Sequence, residues 1–448
     1  MSTTASQPSR RRFSLAHLVL IVPWIALVID AWAPIRDNSF LWHVRAGELQ
    51  RSATEVLTAD PFSFTVPGEP WLTQSWLAEL AYSWGERVSG LGFVPPMMLT
   101  LTTITFIGIG LIAFRSSGSL PATALILILS TILLIRFLVP RPVIFSFALF
   151  VLVILAWERP QTRWALPLLF WIWASVHGSF VIGLAFVGLA LLMKKDWRAL
   201  PTAIMSGLVT LITAHGIGVI GMLTAFVDSR ETLALLTEWR KPELFSLVFF
   251  PFVIGVVIIV IGAFRGYITP THLWLIVPFT LLGLSATRAV PPAWIALVPL
   301  TGLAMKGHTV GGKERFSRGP TVVFGVVILI LPFLLKSDGS LDTEHFPVAA
   351  ARARADVPTF HDDRTGGYLI WLDGPDRPVY IDDRAELYQE RIVEFSAVRN
   401  GDRAWEPVFA RDGIEQVLLR ADESLLDDLR DAGWVSVYQD EEYVVLQQ

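Results

Sequence analysis

The chain has 448 residues, of which 53% are hydrophobic and only 17% charged, with a mean hydropathy of +0.53. Soluble domains carry about 25% charged residues, and the apolar runs here recur at lengths able to cross ~30 Å of hydrocarbon, so the composition points to a polytopic α-helical membrane protein. The absence of cysteine excludes disulfides, thiolate metal sites and cysteine nucleophiles. The net charge of −4 is unevenly spread: from His345 onward 22 acids face 11 arginines, which leaves the preceding part at +7. A membrane part with basic loops and a separate acidic soluble domain is the simplest reading.

In chain order, residues 1–16 form a polar tail whose Arg10, Arg11 and Arg12 favour the cytoplasmic side. The apolar run from His17 to Pro34 lacks a small-residue cleavage site and reads as a retained first helix. Eleven spans are expected, at 17–35, 75–91, 94–114, 121–139, 142–157, 164–193, 203–224, 245–263, 272–288, 291–305 and 320–336; the piece at 75–91 is short and carries Glu79, Glu86 and Arg87, and reads either as a span or as a partly embedded segment. They make up a transmembrane domain over 17–340. The piece at 164–193 is interrupted by Val176-His177-Gly178-Ser179, and reads either as one tilted helix or as two half-helices. With this count the basic clusters Lys194–Arg198, Arg265 and Lys306–Arg318 fall inside. The first loop (36–74, with amphipathic helices), the Asp228–Glu243 segment and everything after the last span fall outside.

Residues 345–448 read as a small α/β domain on the outer face. Strands are expected at Gly367–Trp371, Pro378–Ile381, Gln416–Leu419 and Tyr443–Leu446, and helices near 384–398 and 422–432.

Ionisable residues at a membrane boundary are costly, and each is a candidate for function. Asp37 follows the first span, where a carboxylate can take a proton from an acceptor hydroxyl; the plainer alternative is a solvated acid at a helix end. Asp60 precedes Pro61, and ordinary turn chemistry competes with a catalytic role there. The two outer acids would also suit a divalent cation, although no dense ligand spacing accompanies them. Trp42 sits where an interfacial aromatic is expected, and His43 beside it is a candidate phosphate contact. Arg136 and Arg141 flank Pro140 and are expected to snorkel at the inner boundary. His177 is expected near mid-membrane. Glu238 closes an outer loop, and Arg288 ends a span on the outer side, where a guanidinium suits bidentate phosphate binding or simple anchoring. No P-loop, H-E-x-x-H or nucleophile-elbow motif occurs, and the acidic soluble domain offers nothing to nucleic acid.

Together these pieces resemble the GT-C superfamily of polyprenyl-phosphate-sugar-dependent glycosyltransferases, and most closely a broad group of bacterial membrane proteins with that fold. The resemblance rests on Asp37…Trp42-His43…Gly47, Asp60-Pro61-Phe62-Ser63-Phe64-Thr65 and Pro70-Trp71…Gln74-Ser75-Trp76-Leu77. It continues through Arg141-Pro142…Phe145-Ser146, His177-Gly178-Ser179-Phe180, Glu238-Trp239, Arg288, Gly366–Trp371 and Ile381-Asp382-Asp383-Arg384…Tyr388. It implies a bacterial inner-membrane enzyme, N-terminus inside and C-terminal domain outside. Its donor would be a polyprenyl-phosphate-sugar lipid, and its acceptor a cell-envelope glycan, lipid or protein. Asp37 would be the general base, singled out over Asp60, which stays the second catalytic candidate. Arg288, His43, His177 and Glu238 would serve the donor, and Trp42, Trp71 and Trp76 would line the cleft. The chain departs from the family at Ser75, Ser175 and Asp383, and Ser39 stands where an acid paired with Asp37 would fall. A non-catalytic scaffold or a binder of lipid-linked glycan on the same fold is the alternative. A transporter is disfavoured, since no duplicated halves are visible.

Overall fold

The computed structural model describes residues 22–221, 239–247, 249–306, 339–388 and 390–448. Twelve helices fill the part before residue 307, among the described residues: α1 Val22–Ala31, α2 Asn38–Ala53, α3 Trp76–Ser89, α4 Val94–Ser117, α5 Leu120–Leu134, α6 Val143–Glu158, α7 Leu166–Val176, α8 Phe180–Lys194, α9 Leu200–Leu208, α10 Phe250–Phe264, α11 Leu273–Ser285 and α12 Val290–Ala304. The continuous helical runs Trp76–Ser117 and Leu120–Phe137 are long and apolar enough to cross a membrane. Apolar side chains such as Ile29, Ile132, Val181, Val260, Phe264 and Leu281 stand exposed around the bundle, as lipid-facing residues would.

Polar contacts sort the helix ends into two layers. On one face lie Asp37 with Arg141 at 2.6 Å, His215 Nε2 with the Thr73 carbonyl at 2.7 Å, and Thr287 N with the Arg240 carbonyl at 2.9 Å. On the opposite face Arg115 meets Glu158 at 3.1 Å and Arg163 meets Asp196 at 2.7 Å. Helices α4, α6 and α8 run from the first face to the second, and α5, α7 and α9 return.

This layering changes two expected spans. Residues 75–91 do not cross the bundle. Helix α3 lies along α2 on the first face, and its Glu79 is buried against α2. The contact is close because a Cβ at Gly47 would collide with the Glu79 carbonyl. Residues 164–193 form a hairpin rather than one tilted helix: α7 ends at Val176, α8 starts at Phe180, and the Arg163–Asp196 ion pair ties their far ends together. One crossing fewer and one more leave the later alternation unchanged. Between them it is reversed, so Arg136 and Arg141 fall on the same face as Asp37, not at the inner boundary. His177 likewise sits in the turn at that face, not mid-bundle. The expected span 320–336 lies outside the described residues.

The acidic C-terminal stretch holds α13 Val348–Ala353, β1 Thr359–His361, α14 Asp363–Asp373, α15 Ala385–Tyr388, α16 Glu390–Arg399, α17 Glu406–Asp412, β2 Gln416–Arg420, α18 Leu425–Asp431, β3 Val435–Gln439 and β4 Tyr443–Gln447. The sheet order is β1-β2-β4-β3, with β1 parallel to β2 and the other pairs antiparallel. Phe360, Val417, Leu419, Val444 and Leu446 alternate inward onto Phe395, Phe409 and Leu426. The Gly367–Trp371 run is helix, not strand: Asp362 caps it by accepting the Thr365 N–H at 2.8 Å, and its apolar residues pack on α2. Val379 forms a single parallel bridge to Ser63 in place of the expected strand at Pro378–Ile381. That bridge docks the first loop onto the C-terminal region, with Phe64 N–H donating to the Val379 carbonyl at 3.1 Å and Val379 N–H to Phe62 at 2.9 Å.

Candidate active site

Asp37 is the N-cap of α2. One carboxylate oxygen accepts the Phe40 N–H at 2.9 Å, satisfying a backbone donor that the helix leaves open. The other accepts Arg141 Nε at 2.6 Å. Arg141 lies between Pro140 and Pro142, whose fixed φ stiffens the short link from α5 to α6. A second carboxylate joins them from the C-terminal region. Asp383 accepts Trp42 Nε1 at 2.6 Å and the Ser39 hydroxyl, and lies 4.0 Å from Arg141 Nη2. Burial pushes the Asp383 carboxyl above its usual range; Arg141 and Ser39 pull it down, and Asp382 and Asp37 push it up.

One turn along α2, His43 Nδ1 meets Glu79 at 2.8 Å, and its ring packs on Trp42 at a centroid distance of 3.6 Å. Glu79 is wholly buried and also accepts Thr73 Oγ1 at 2.5 Å and the Gln50 amide. Three partners around one buried carboxylate satisfy its oxygens and fix the imidazole in place. The sequence signal for Glu79 was an acid inside an apolar helix, which reads as a span boundary until α2 is seen beside it.

Asp60 lies apart from Asp37. It accepts the Phe62 N–H at 3.1 Å, the Ser63 N–H at 3.0 Å, the Ser63 hydroxyl, and Arg384 Nη1 at 2.7 Å. Arg384 is fully buried, also bonds Asp382, and lies 4.5 Å from the Trp71 ring and 5.8 Å from that of Trp42. Burial alone would lower its pKa, but Asp382, Tyr388 and Asp60 outweigh that and raise it. Trp42 and Trp71 therefore pack on a buried cation. Trp76 opens α3, with its indole N–H buried and without a hydrogen-bond partner among the described residues.

The α7–α8 turn brings His177 to this face. Gln74 packs directly on Gly178, leaving no room for a side chain there. His177 Nδ1 accepts the Ser179 N–H at 3.2 Å, which leaves Nε2 as the protonated nitrogen of a neutral ring. Burial first, then Arg288 and His43, hold its pKa down to about 3. Its ring is partly accessible at the surface of the turn although protein surrounds it. Arg288 lies over the Trp239 ring at 4.4 Å. Glu238 lies outside the described residues.

Several solved structures share this arrangement of helices. ArnT from Cupriavidus metallidurans, in its apo state, aligns over 96% of this chain and 97% of its own, with a TM-score of 0.51 and 13% identity. The Archaeoglobus fulgidus oligosaccharyltransferase, also apo, aligns over 91% of this chain and 69% of its own, with a TM-score of 0.55 and 10% identity. No family model and no curated protein matches the sequence.

Proposed function

The chain has the fold of the GT-C membrane glycosyltransferases, and on that fold we propose that it transfers a sugar from a polyprenyl-phosphate-linked donor to an acceptor hydroxyl outside the cytoplasm. The observation that carries this reading is Asp37, fixed by a helix N-terminus and by Arg141 at the face where His43, His177 and Arg288 also gather. In the proposed reaction Asp37 takes the acceptor proton as the acceptor oxygen bonds the anomeric carbon. The bond from that carbon to the phosphate oxygen breaks, and polyprenyl phosphate departs with the electron pair. Arg288, the Nε2–H of His177 and His43 stabilise the leaving phosphate in a poorly hydrated site. Asp60 supports the centre through Arg384 and does not enter the reaction.

The basic residues Arg115, Arg163, Lys194, Lys195 and Arg198 lie toward the opposite face, which supports an orientation with that face in the cytoplasm and the Asp37 face outside. The crossings among the described residues, together with the span expected at 320–336, fit this orientation. A divalent cation does not suit the residues present. Arg141 already pairs with Asp37 and lies 4.0 Å from Asp383, and no group of three or more His, Asp or Glu side chains among the described residues is arranged to hold a metal.

The test is lipid and glycan profiling of a deletion strain against its parent, with complementation by the wild-type chain and by Asp37→Asn. The expected result is a missing glycoform that the wild type restores and Asp37→Asn does not. A variant that restores it removes Asp37 as the base, and an unchanged glycan profile in the deletion strain overturns the glycosyltransferase reading.

A further inference from the structure

Asp382 and Asp383 are adjacent in sequence and serve different parts of the molecule. Among the described residues, Asp382 binds only within its own region, to Arg384 at 2.6 Å and 2.8 Å and to Tyr388 at 2.7 Å. Asp383 does the reverse. Among the described residues, both of its side-chain hydrogen bonds run to α2, through Ser39 and Trp42, and its ion pair runs to Arg141. Burying a carboxylate costs free energy unless its partners offset it. Here every partner belongs to the Asp37 centre, so the C-terminal region gains nothing of its own from the charge.

We propose that Asp383 is a positioning residue for transfer: delivered from the C-terminal region, its carboxylate holds Ser39, Trp42 and Arg141 so that Asp37 is aimed at the acceptor. This rests on the glycosyltransferase reading. Ser39 lies two residues after Asp37, in the first turn of the helix that Asp37 caps, and Arg141 touches Asp37 while lying 4.0 Å from Asp383. A shift of Asp383 therefore moves the guanidinium that fixes the base. The soluble region completes the site rather than only covering it, and its docking through Val379 and Ser63 becomes a condition of activity. The raised pKa of Asp383 fits such a role, because the carboxylate is protonated, and releases its donors, at a pH where an ordinary aspartate is still charged. The charged groups that set this are Arg141 and Asp37 from the helical part and Asp382 beside it.

Two experiments on the full chain test the proposal. The first uses the protein in lipid nanodiscs, with the deletion strain's total lipid extract as donor source and released polyprenyl phosphate as the readout. Asp383→Ala should lower turnover on the order of 10²-fold, the effect of a small misplacement of a catalytic group. Because the Ser39 hydroxyl contacts the Asp383 carboxylate, Ser39→Asp combined with Asp383→Ala places a carboxylate in nearly the same position and should recover most of the loss. Asp383→Asn should change the acid limb of the pH profile, leaving only the part that Asp37 sets as the base, whereas a merely structural contact would leave the limb unchanged. Wild-type turnover in Asp383→Ala, or no recovery in the double variant, overturns the proposal. The second experiment exploits the absence of cysteine. Ser39→Cys with Asp383→Cys should be joined by a short bifunctional thiol reagent. Absence of the cross-link overturns the contact independently of any activity. A wild-type protein that turns over nothing while the cross-link forms fails the glycosyltransferase reading and leaves the contact standing.

Discussion

Two carboxylate–arginine centres flank the indole of Trp42, and they are built to different ends. In one, Arg384, Asp60 and Asp382 have side chains with no solvent exposure. Both carboxylates there are surrounded by donors: Phe62, Ser63 and Arg384 on Asp60, and Arg384 and Tyr388 on Asp382. In the other, the Arg141 side chain is 29% exposed, Asp383 17% and Asp37 8%. Among the described residues, Asp37 accepts one backbone N–H and one guanidinium N–H, which leaves lone pairs for a further partner. The residue types are the same in both. What separates a structural pair from a candidate reactive one is whether a lone pair is left to face outward.

The comparison breaks most violently at Arg384. Replacing it with Met leaves Asp60 and Asp382 buried without their cation, and removal of one partner from a buried pair costs about 3–5 kcal/mol. The Arg384→Met protein should lose much of its thermal stability, read as a fall in melting temperature by size-exclusion chromatography after heating. A melting temperature within a few degrees of wild type would show that the Asp60 centre is not the structural one. Asp37→Asn should do the opposite. Asn is as good an N-cap as Asp, so α2 keeps its start. Transfer should still fall by about 10²–10⁴-fold, the usual contribution of a general base. A large loss of stability in this variant would erase the distinction between the two centres.

Arg141→Lys sharpens the contrast on the open side. It keeps the charge but loses the planar fork that lets one group touch Asp37 while lying near Asp383. Stability should change by no more than about 1 kcal/mol, as for a partly exposed pair. Turnover should drop more than tenfold. Gly47→Ala probes the frame beneath both centres, since its methyl group would meet the Glu79 carbonyl. Overpacking of this kind costs about 1–3 kcal/mol, measured as a lowered unfolding temperature. The loss should be accompanied by reduced transfer, because α3 carries the carboxylate that orients His43.

The sequence made the helical class and the division into a helical part and an acidic part legible, because both are written in composition. It also made Asp37 legible, since a boundary acid is costly wherever it lies. Pairing was hidden. Hydropathy reads the short amphipathic α3 and the apolar span that follows it by the same measure. Only the contact between Gly47 and Glu79 shows that α3 lies across the first face. Arg141 was placed on the wrong side for the same reason, because its side follows from counting crossings. The Gly367–Trp371 run has strand-like composition, and the Asp362 cap that makes it a helix is a single residue. Asp383 was visible only as a departure from the family pattern. Its value comes from Ser39, which is 344 positions away and in contact.

The smallest expected effect at neutral pH concerns His177, which belongs to neither centre. Its folded pKa of about 3 lies below the ordinary histidine value of 6.5, so the unfolded chain binds the proton more readily. Its contribution to stability is therefore complete above pH 6.5 and is lost progressively as pH falls toward 3. His177→Gln keeps a polar side chain of similar reach without titrating in that interval. Between pH 6.5 and pH 4 the melting temperature of wild type should decline more steeply than that of His177→Gln, and the two curves should run parallel above pH 7. Parallel curves throughout would mean that water reaches the α7–α8 turn and protonates the ring in the folded protein. The neutral Nε2–H donor assigned to the leaving phosphate would then give way to an imidazolium, and the face that carries the open centre would gain a positive charge.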